Sequence, residues 1–227
     1  MHNNDSFEVA IIDYGLGNLF SVKQACDHVG LRTRVTSQEK EITKADAMIL
    51  PGVGAFGDAM GILNKMDLVR PILDFINSKR PFLGICLGMQ LLFSESEEFG
   101  QHKGLDVIKG KVVKFPKKNN QGQINKIPQV GWNRIKRPLL AEGPCWSDTV
   151  LNHVNDGEFM YFVHSFYAVP EDKKTALSLT EYEEITYCSS IQKGNIFAFQ
   201  FHPEKSAYQG LKIYRNFSDI IKRNKGA

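Results

Sequence analysis

A glycine-flanked cysteine at a sharp change of local pattern constrains this chain most. Residues 80–83 predict a short apolar strand behind a proline break, and residues 89–93 predict the start of a helix. Cys86 lies at the turn between them, with Gly84 and Gly88 on either side, where a Cβ would clash with neighbouring backbone. This pattern is typical of a nucleophile elbow with Cys in place of Ser. A helix N-terminus beside the sulfur favours the thiolate, so Cys86 is a candidate nucleophile; a buried structural cysteine is the alternative.

The composition fits one α/β domain spanning residues 1–227. Of the 227 residues, 42% are hydrophobic, which is enough for a sizeable core. The net charge of +3 is too small to indicate a nucleic-acid partner, and the basic residues are scattered apart from short clusters at 117–118 and 222–225. The four cysteines include no Cys-x-x-Cys pair, so neither a disulfide framework nor a zinc site is expected.

The sequence predicts a cytoplasmic protein with reduced thiols. Residues 1–6 are polar and contain no apolar signal core. No apolar run approaches the roughly 18 residues that a membrane-spanning helix needs, so no membrane association is expected.

Continuous apolar runs alternate with helical segments in the first half of the chain. Such runs are typical of strands that are buried on both faces of a parallel sheet. The predicted strands are residues 9–13, 33–36, 47–50 and 80–83, and the predicted helices are residues 18–29, with Asn18 as N-cap, and 67–78. This order predicts an α/β fold with a doubly wound, mostly parallel sheet and helices on both faces.

The second half changes to antiparallel patterns. Residues 107–115 alternate between apolar and polar side chains, and Gly194-Asn195 marks a hairpin turn within the run from 185 to 202. A polar loop at 117–125, the segment 128–133, a strand at 160–164 and a last helix at 208–222 complete this half. The sheet is therefore expected to carry an antiparallel extension.

The loop at 51–56 is the second candidate for a functional element. It directly follows a predicted parallel strand, at the end where ligands bind in open α/β sheets. Gly52 and Gly54 around Val53 give its backbone unusual freedom. The pattern predicts a backbone N–H from the Val53–Gly54 region that faces the Cys86 sulfur, with an ordinary turn as the alternative.

A histidine and an acid end the strand predicted at 197–201. Residues two apart in extended chain point the same way, so His202 and Glu204 are expected to lie side by side, with Pro203 between them. A cysteine nucleophile needs a base to take its proton, and the base needs an acceptor that orients it. Cys86, His202 and Glu204 supply one of each.

Several motifs together resemble a known family. GICLGMQ at 84–90 and QFHPE at 200–204 resemble the class I (triad) glutamine amidotransferases. Further motifs resemble, more narrowly, the glutaminase subunits of imidazole glycerol phosphate synthase; these are DYGLGN at 13–18, PGVGAF at 51–56, GWN at 131–133, YFVHS at 161–165 and HPEKS at 202–206. The resemblance covers nearly the whole chain.

The resemblance implies a flavodoxin-like fold and hydrolysis of glutamine to glutamate and ammonia, without a metal or other cofactor. It further implies a heterodimer with a (β/α)8-barrel cyclase subunit, which receives the ammonia. That subunit converts a phosphoribulosyl-formimino carboxamide nucleotide (PRFAR) into imidazole glycerol phosphate and an aminoimidazole carboxamide ribotide (AICAR) in histidine biosynthesis.

The resemblance also assigns roles to residues around the triad. The oxyanion of the tetrahedral intermediate would be met by backbone N–H groups of Leu87 and of Val53 or Gly54. Glutamine would contact Gly52, Gln90, Glu98, Ser165 and Phe166. The partner face would include Trp132, Tyr161 and Lys205, together with Gln129.

One departure from the family pattern keeps alternatives open. Where the family usually carries His-Met before Gly-Trp-Asn, this chain has Gln129-Val130. The segment is expected to lie toward the partner, so a paralogous glutaminase that feeds a related barrel synthase in surface-sugar modification is an alternative. A non-catalytic scaffold that binds a barrel partner is another, as is a different cysteine hydrolase on the same fold, such as a γ-glutamyl peptidase.

Overall fold

The computed structural model describes residues 7–138 and 145–225. The polar segment 1–6, from which the absence of a signal core was predicted, lies outside the described residues. Within the described ranges, every helix is too short or too polar to cross a membrane.

Strands and helices alternate along the first half of the chain, and strands dominate the second. The strands are β1 (Glu8–Ile12), β2 (Arg32–Thr36), β3 (Ala47–Leu50), β4 (Phe82–Ile85), β5 (Phe93–Ser96), β6 (His102–Lys103), β7 (Ile108–Lys114), β8 (Gln129–Ile135), β9 (Glu158–His164), β10 (Phe166–Pro170), β11 (Ala176–Tyr182), β12 (Ile185–Lys193) and β13 (Ile196–Phe199). The α-helices are α1 (Leu19–His28), α2 (Glu39–Lys44), α3 (Phe56–Lys65), α4 (Val69–Asn77), α5 (Leu87–Gln90) and α6 (Ala207–Lys225). Short 3₁₀ turns occur at Trp146–Asp148, Lys173–Thr175 and Pro203–Lys205.

Most strands belong to one mixed sheet of eleven strands, in the order β2-β1-β3-β4-β13-β12-β10-β7-β5-β6, with β11 paired to β12. Strands β2, β1, β3, β4 and β13 run parallel to one another. Antiparallel pairing joins β13, β12, β11, β10 and β7, and β8 and β9 form a separate antiparallel pair. The predicted α/β fold with a parallel sheet and an antiparallel extension is confirmed. Its strand order places the carboxyl ends of β3, β4 and β13 side by side.

A hydrophobic core lies on each face of the sheet. In β1, Ala10 and Ile12 join the core that contains α3 and α4, whereas Val9 and Ile11 join the core that contains α1 and α6. This alternation follows from the two-residue period of a strand. Because helices cover both faces, polar side chains have access to the sheet chiefly at its edges.

Several local predictions are confirmed. Strands β1, β2 and β3 and helices α1, α4 and α6 lie within a few residues of their predicted bounds. Asn18 caps α1, since its Oδ1 accepts a hydrogen bond from Ser21 N–H at 3.2 Å, and Gly194-Asn195 joins β12 to β13. The strand predicted at 80–83 is β4, shifted by two residues. The sequence patterns do not predict α2, α3, β5, β6, β10 or β11.

The helix predicted after Cys86 is wrong in length. Helix α5 has only 4 residues, and the chain enters β5 at Phe93. Leu91, Leu92 and Phe93 are fully buried, so this apolar run serves a strand inside the molecule rather than one face of a helix. A helix this short has little macrodipole, so the individual N–H groups at its start carry any preference for negative charge.

Candidate active site

A cavity of about 230 Å³ opens at the carboxyl edge of the parallel strands. The predicted site residues that line it are Val53, Gly54, Cys86, Leu87, Gln90, Glu98, Ser165, Phe166 and His202, and Val163 and His164 line it as well. Pockets for drug-sized ligands span roughly 300–1,000 Å³, so this cavity suits a smaller ligand such as an amino acid. Most of the residues predicted for the site therefore converge on one place; Gly52 and Glu204 are not among the residues that line the cavity.

The turn that presents Cys86 has the strained backbone of a nucleophile elbow. Cys86 has φ 54° and ψ −109°, a conformation that residues with side chains rarely adopt. Its N–H donates to the carbonyl oxygen of Phe199 in β13 at 2.7 Å, which holds the turn against the neighbouring strand. A Cβ on Gly88 would overlap the carbonyl oxygen of Leu50, and one on Gly84 would be 3.0 Å from the nearest side chain. Glycine is thus required at position 88, and a Cβ at position 84 would make a tight contact.

The Cys86 sulfur lies near polar groups at the ends of two other strands, β13 and β9. Gln200 Nε2 donates to Sγ at 3.7 Å, and Sγ lies 4.0 Å from the carbonyl oxygen of Val163, to which a thiol proton can be donated. Gln200 was not singled out from the sequence. The available signal was a polar residue, fully buried here, inside the apolar run 197–201.

His202 and Glu204 form a buried pair. His202 Nδ1 and Glu204 Oε1 are 2.7 Å apart, and the two side chains are 2% and 1% exposed. The predicted contact is present, but its predicted cause is wrong: β13 ends at Phe199, and Pro203–Lys205 form a 3₁₀ turn rather than extended chain. Ser206 fastens this turn, because its Oγ donates to the His202 carbonyl oxygen at 2.7 Å.

The electrostatics of the pair favour a charged imidazole beside the sulfur. Burial alone would lower the pKa of His202, but the neighbouring Cys86 and the bonded Glu204 carboxylate outweigh it and raise the pKa. Since Glu204 engages Nδ1, Nε2 is the ring nitrogen left for the thiol. Nε2 is buried and has no hydrogen-bond partner in residues 7–138 and 145–225. His202 Nε2, the atom that would take the Cys86 proton, is therefore near enough to Cys86 for their charges to interact. It makes no aligned hydrogen bond with the thiol, as is common before a substrate binds.

The loop after β3 approaches Cys86 closely, but the carbonyl oxygen of Gly52 in this loop accepts a hydrogen bond from Leu87 N–H, the predicted oxyanion donor. Leu87 N–H donates to the Gly52 carbonyl oxygen at 3.4 Å, a long and therefore weak bond. A Cβ on Gly52 would overlap the Tyr14 hydroxyl, so glycine is required at this close approach. Tyr14 in turn donates to the Pro51 carbonyl oxygen at 3.0 Å and holds the start of the loop.

Gln90 and Glu98, both predicted to contact the substrate, line the cavity. Gln90 Nε2 donates to the Phe166 carbonyl oxygen and to Gln200 Oε1, both at 3.0 Å. Glu98 Oε2 accepts from Phe56 N–H at 2.7 Å at the start of α3. Burial raises the pKa of Glu98, and the bond from Phe56 opposes that shift. Glu98 is thus a half-buried acid of the cavity rather than a freely solvated surface charge.

Three of the residues predicted for the partner face form one exposed cluster. The rings of Trp132 and Tyr161 meet edge to face at 6.1 Å, and Lys205 Nζ lies 5.8 Å from the Tyr161 ring centroid. Trp132 is 51% exposed. Tyr161 also contacts the turn that carries the His202–Glu204 pair, since its carbonyl oxygen accepts a hydrogen bond from His202 N–H at 2.9 Å. We call Val130, Trp132, Tyr161 and Lys205 the aromatic face.

The placement of Gln129 on the partner face is wrong. Alternate residues of β8 point to opposite sides, so Val130 and Trp132 face outward while Gln129 faces the interior. Gln129 is 2% exposed, and its Oε1 lies 2.9 Å from the Tyr187 hydroxyl. Of the pair Gln129-Val130, which differs from the usual family pattern, only Val130 faces outward, at 54% exposure.

His164 is a cavity residue that was not assigned a role from the sequence. Its Nδ1 lies 2.9 Å from the Phe166 carbonyl oxygen, and its Nε2 lies 3.2 Å from the Tyr187 hydroxyl. Burial lowers the pKa of His164 to about 4, which keeps the ring neutral at pH 7. The sequence signal was a histidine at the end of a predicted strand; one partner, Phe166, is two residues away, and the other, Tyr187, comes from a strand further along the chain. In the described ranges, no group of His, Cys, Asp and Glu side chains could hold a metal ion.

The buried His164 predicts a specific loss of stability in mild acid. Its folded pKa of about 4 lies below its unfolded value, so the unfolded state binds more protons as the pH falls and stability is lost. Between pH 7 and pH 5 this one group should cost roughly 2 kcal/mol. We expect urea unfolding to show a smaller loss over that range in His164→Asn than in the parent. His153→Asn, at an exposed histidine, is the control and should keep the parental loss. An unchanged loss in His164→Asn would contradict the prediction.

Comparison with known proteins shows the same family at the level of sequence. Residues 10–220 match the family model for glutamine amidotransferase class-I. The chain is 46% identical to the imidazole glycerol phosphate synthase subunit HisH of Syntrophotalea carbinolica, over 93% of this chain and 100% of that protein. It is 44% identical to the imidazole glycerol phosphate synthase subunit HisH 1 of Legionella pneumophila strain Paris, over 93% of this chain and 99% of that protein.

A solved structure shares the fold at low sequence identity. A chain of PurLQS from Thermotoga maritima superposes with a TM-score of 0.65 at 16% identity, covering 97% of this chain and 99% of that chain. At this identity the likeness concerns the arrangement of strands and helices alone.

Proposed function

The chain belongs to the class I glutamine amidotransferases and, within them, to the HisH subunits of imidazole glycerol phosphate synthase, and we propose that Cys86, His202 and Glu204 are its catalytic triad. The single observation that carries this proposal is the convergence of the strained Cys86 and the Glu204-bound His202 on one small cavity. We further propose that residues 1–227 act as one cytoplasmic domain; the match to the family model over 10–220 supports a single unit.

The triad geometry supports a two-step hydrolysis of the glutamine side-chain amide. His202 Nε2 takes the Cys86 proton, and the thiolate attacks the δ-carbonyl carbon. The imidazolium then gives its proton to the leaving nitrogen, so ammonia departs and a thioester remains. Water, deprotonated by His202, attacks the thioester and releases glutamate, and His202 returns the proton to Cys86. Glu204 holds Nδ1 and stabilises the imidazolium in both steps.

The oxyanion formed in each step needs backbone donors that the loop after β3 controls. Leu87 N–H is one donor, and an N–H from Val53 or Gly54 is the other. One such donor is worth about 2.7–4 kcal/mol of transition-state stabilisation. The Gly52 carbonyl oxygen lies on Leu87 N–H here, so the loop must turn away before that donor is available. A ligand that favours the turned loop would raise activity by shifting the population, and we therefore predict weak hydrolysis by the chain alone.

The residues around the cavity suit free glutamine. Glu98 supplies a carboxylate for the substrate ammonium group. Gln90, one helical turn past Cys86, donates to the Phe166 carbonyl oxygen and to Gln200. Ser165, Phe166 and Gly52 complete the proposed contacts. A γ-glutamyl peptide carries the same α-amino group but is larger, so the small volume of the cavity, about 230 Å³, favours free glutamine as the substrate.

We assign the aromatic face to the partner. An exposed Trp next to a Tyr and a Lys is typical of an interface hot spot, and here it borders the catalytic turn. We propose that a (β/α)8-barrel cyclase subunit binds there as a heterodimer, receives the ammonia and uses it to make imidazole glycerol phosphate and AICAR from PRFAR in histidine biosynthesis. Lys205 is suited to an ion pair with an acid of that subunit.

The alternatives have less support. A scaffold that only binds a partner would not need a strained cysteine or a buried His–Glu pair, each of which lowers stability. The paralogous synthase was suggested by Gln129-Val130 near the partner; Gln129 is buried away from the aromatic face, so only Val130 of this pair belongs to that face.

Removal of the thiol tests the catalytic assignment. We expect Cys86→Ala to lower glutamine hydrolysis at least ~10⁴-fold, because the covalent step is lost, while the circular dichroism spectrum is unchanged. An electrophilic glutamine analogue should label the parent and Cys145→Ala, a variant of an exposed cysteine far along the chain, but not Cys86→Ala. Ammonia release by Cys86→Ala at the parental rate would contradict the assignment.

Truncation of the aromatic face tests the partner assignment. We expect Trp132→Ala to weaken binding of the barrel cyclase roughly 10- to 100-fold, as is typical for a buried interface Trp, with labelling of Cys86 unchanged. Met66→Ala is the control, since Met66 is also exposed but follows α3, which contributes no residue to the aromatic face. Equal affinities of Trp132→Ala and the parent, measured by calorimetry, would place the partner elsewhere.

A further inference from the structure

A series of buried hydrogen bonds leads from β8 into the catalytic cavity and takes no part in the chemistry described above. Gln129 Oε1 lies 2.9 Å from the Tyr187 hydroxyl, which lies 3.2 Å from His164 Nε2. His164 Nδ1 lies 2.9 Å from the Phe166 carbonyl oxygen. All three side chains are at most 7% exposed. Buried polar groups of this kind stabilise one arrangement strongly, because any unmade bond costs free energy.

The direction of these bonds follows from what each atom can donate. A carbonyl oxygen only accepts, so His164 carries its proton on Nδ1 and its Nε2 is an acceptor. Tyr187 has one hydroxyl proton, and it donates this proton to His164 Nε2. The Gln129 amide then has to offer its nitrogen to the Tyr187 oxygen, which is the opposite of its assigned orientation. In the assigned orientation Gln129 Nε2 is a buried donor with no partner in the described part of the chain, so a rotated amide is the better assignment.

The Phe166 carbonyl oxygen joins this series to the nucleophile. The same oxygen accepts from Gln90 Nε2 at 3.0 Å, and Gln90 Nε2 also lies 3.0 Å from Gln200 Oε1. Gln200 Nε2 in turn donates to Cys86 Sγ at 3.7 Å. His164 therefore fixes the one backbone atom that orients Gln90 in the cavity. A shift of that carbonyl would move the wall formed by Phe166 and free the Gln90 amide to rotate.

We propose that Gln129, Tyr187 and His164 are positioning residues that hold the Phe166 carbonyl oxygen and thereby set the affinity of the cavity for glutamine. None of the three touches the reacting atoms, and each acts through the next. The inference rests on the proposed glutaminase function. It also gives Gln129 a role inside the molecule: residue 129 must supply an N–H to Tyr187.

The test compares Tyr187, whose hydroxyl belongs to this series of hydrogen bonds, with Tyr182, whose hydroxyl does not. The Tyr187 and Tyr182 rings both pack on Phe115, at 5.5 and 5.6 Å, but the Tyr182 hydroxyl bonds Lys126 outside the series. In the complex with the barrel cyclase and its nucleotide, we expect Tyr187→Phe to raise the KM for glutamine about three- to tenfold, the worth of one buried hydrogen bond. The kcat and the rate of Cys86 alkylation by iodoacetamide should change less than about twofold. Tyr182→Phe should leave the KM unchanged.

Two further variants separate positioning from general stability. His164→Asn keeps an N–H for Phe166 but offers nothing to Tyr187, so adding Tyr187→Phe to it should raise the KM no further. Gln129→His, which retains an N–H donor, should keep the parental KM, whereas Gln129→Leu should raise it. Additive effects of His164→Asn and Tyr187→Phe, or an unchanged KM in Tyr187→Phe whatever its melting temperature, would overturn the proposal. A parent complex that does not hydrolyse glutamine would overturn the proposed function and the positioning role together.

Discussion

The strained turn at Cys86 is the constraint on which the rest of the site depends. A residue with a side chain holds φ 54° only when its surroundings leave no alternative. Here the surroundings are the bond from Cys86 N–H to Phe199 and the close contact of Gly88 with Leu50. These contacts come from β13 and β3, the two strands that flank β4. The same strand order that stabilises the elbow therefore also brings to it the loop at 52–54, which follows β3, and His202, which follows β13.

In the proposed mechanism, polar groups near Cys86 divide into those that act on the reaction and those that hold the others in place. Glu204 acts directly, since its bond to Nδ1 determines which nitrogen of His202 faces the thiol. The Gly52 carbonyl oxygen acts in the opposite sense, because it occupies Leu87 N–H until the loop turns. His164 and Tyr187 belong to the second group. Burial keeps His164 neutral, which avoids a second positive charge beside the His202 imidazolium.

Local sequence pattern was sufficient for the parts of the site that depend on neighbouring residues. The glycines around Cys86, the cap at Asn18 and the pairing of His202 with Glu204 each involve residues close in sequence. Burial and pairing of distant strands decided the rest. The apolar run after Gln90 became β5 rather than helix because β7 was available to pair with it. Gln129 faced inward because of its register in β8, and the contact of His164 with Tyr187 joins β9 to β12, which no local pattern predicts.

The most direct measurement is the rate of glutamine hydrolysis by the chain bound to a purified barrel cyclase of the histidine pathway, with and without the nucleotide substrate of that cyclase. We predict slow hydrolysis by the chain alone and a large rise with both cyclase and nucleotide, because the loop must release Leu87 N–H before the oxyanion is stabilised. Equal rates for the chain alone, for the chain with cyclase, and for the chain with cyclase and nucleotide would contradict a glutaminase whose oxyanion donors are controlled by its partner.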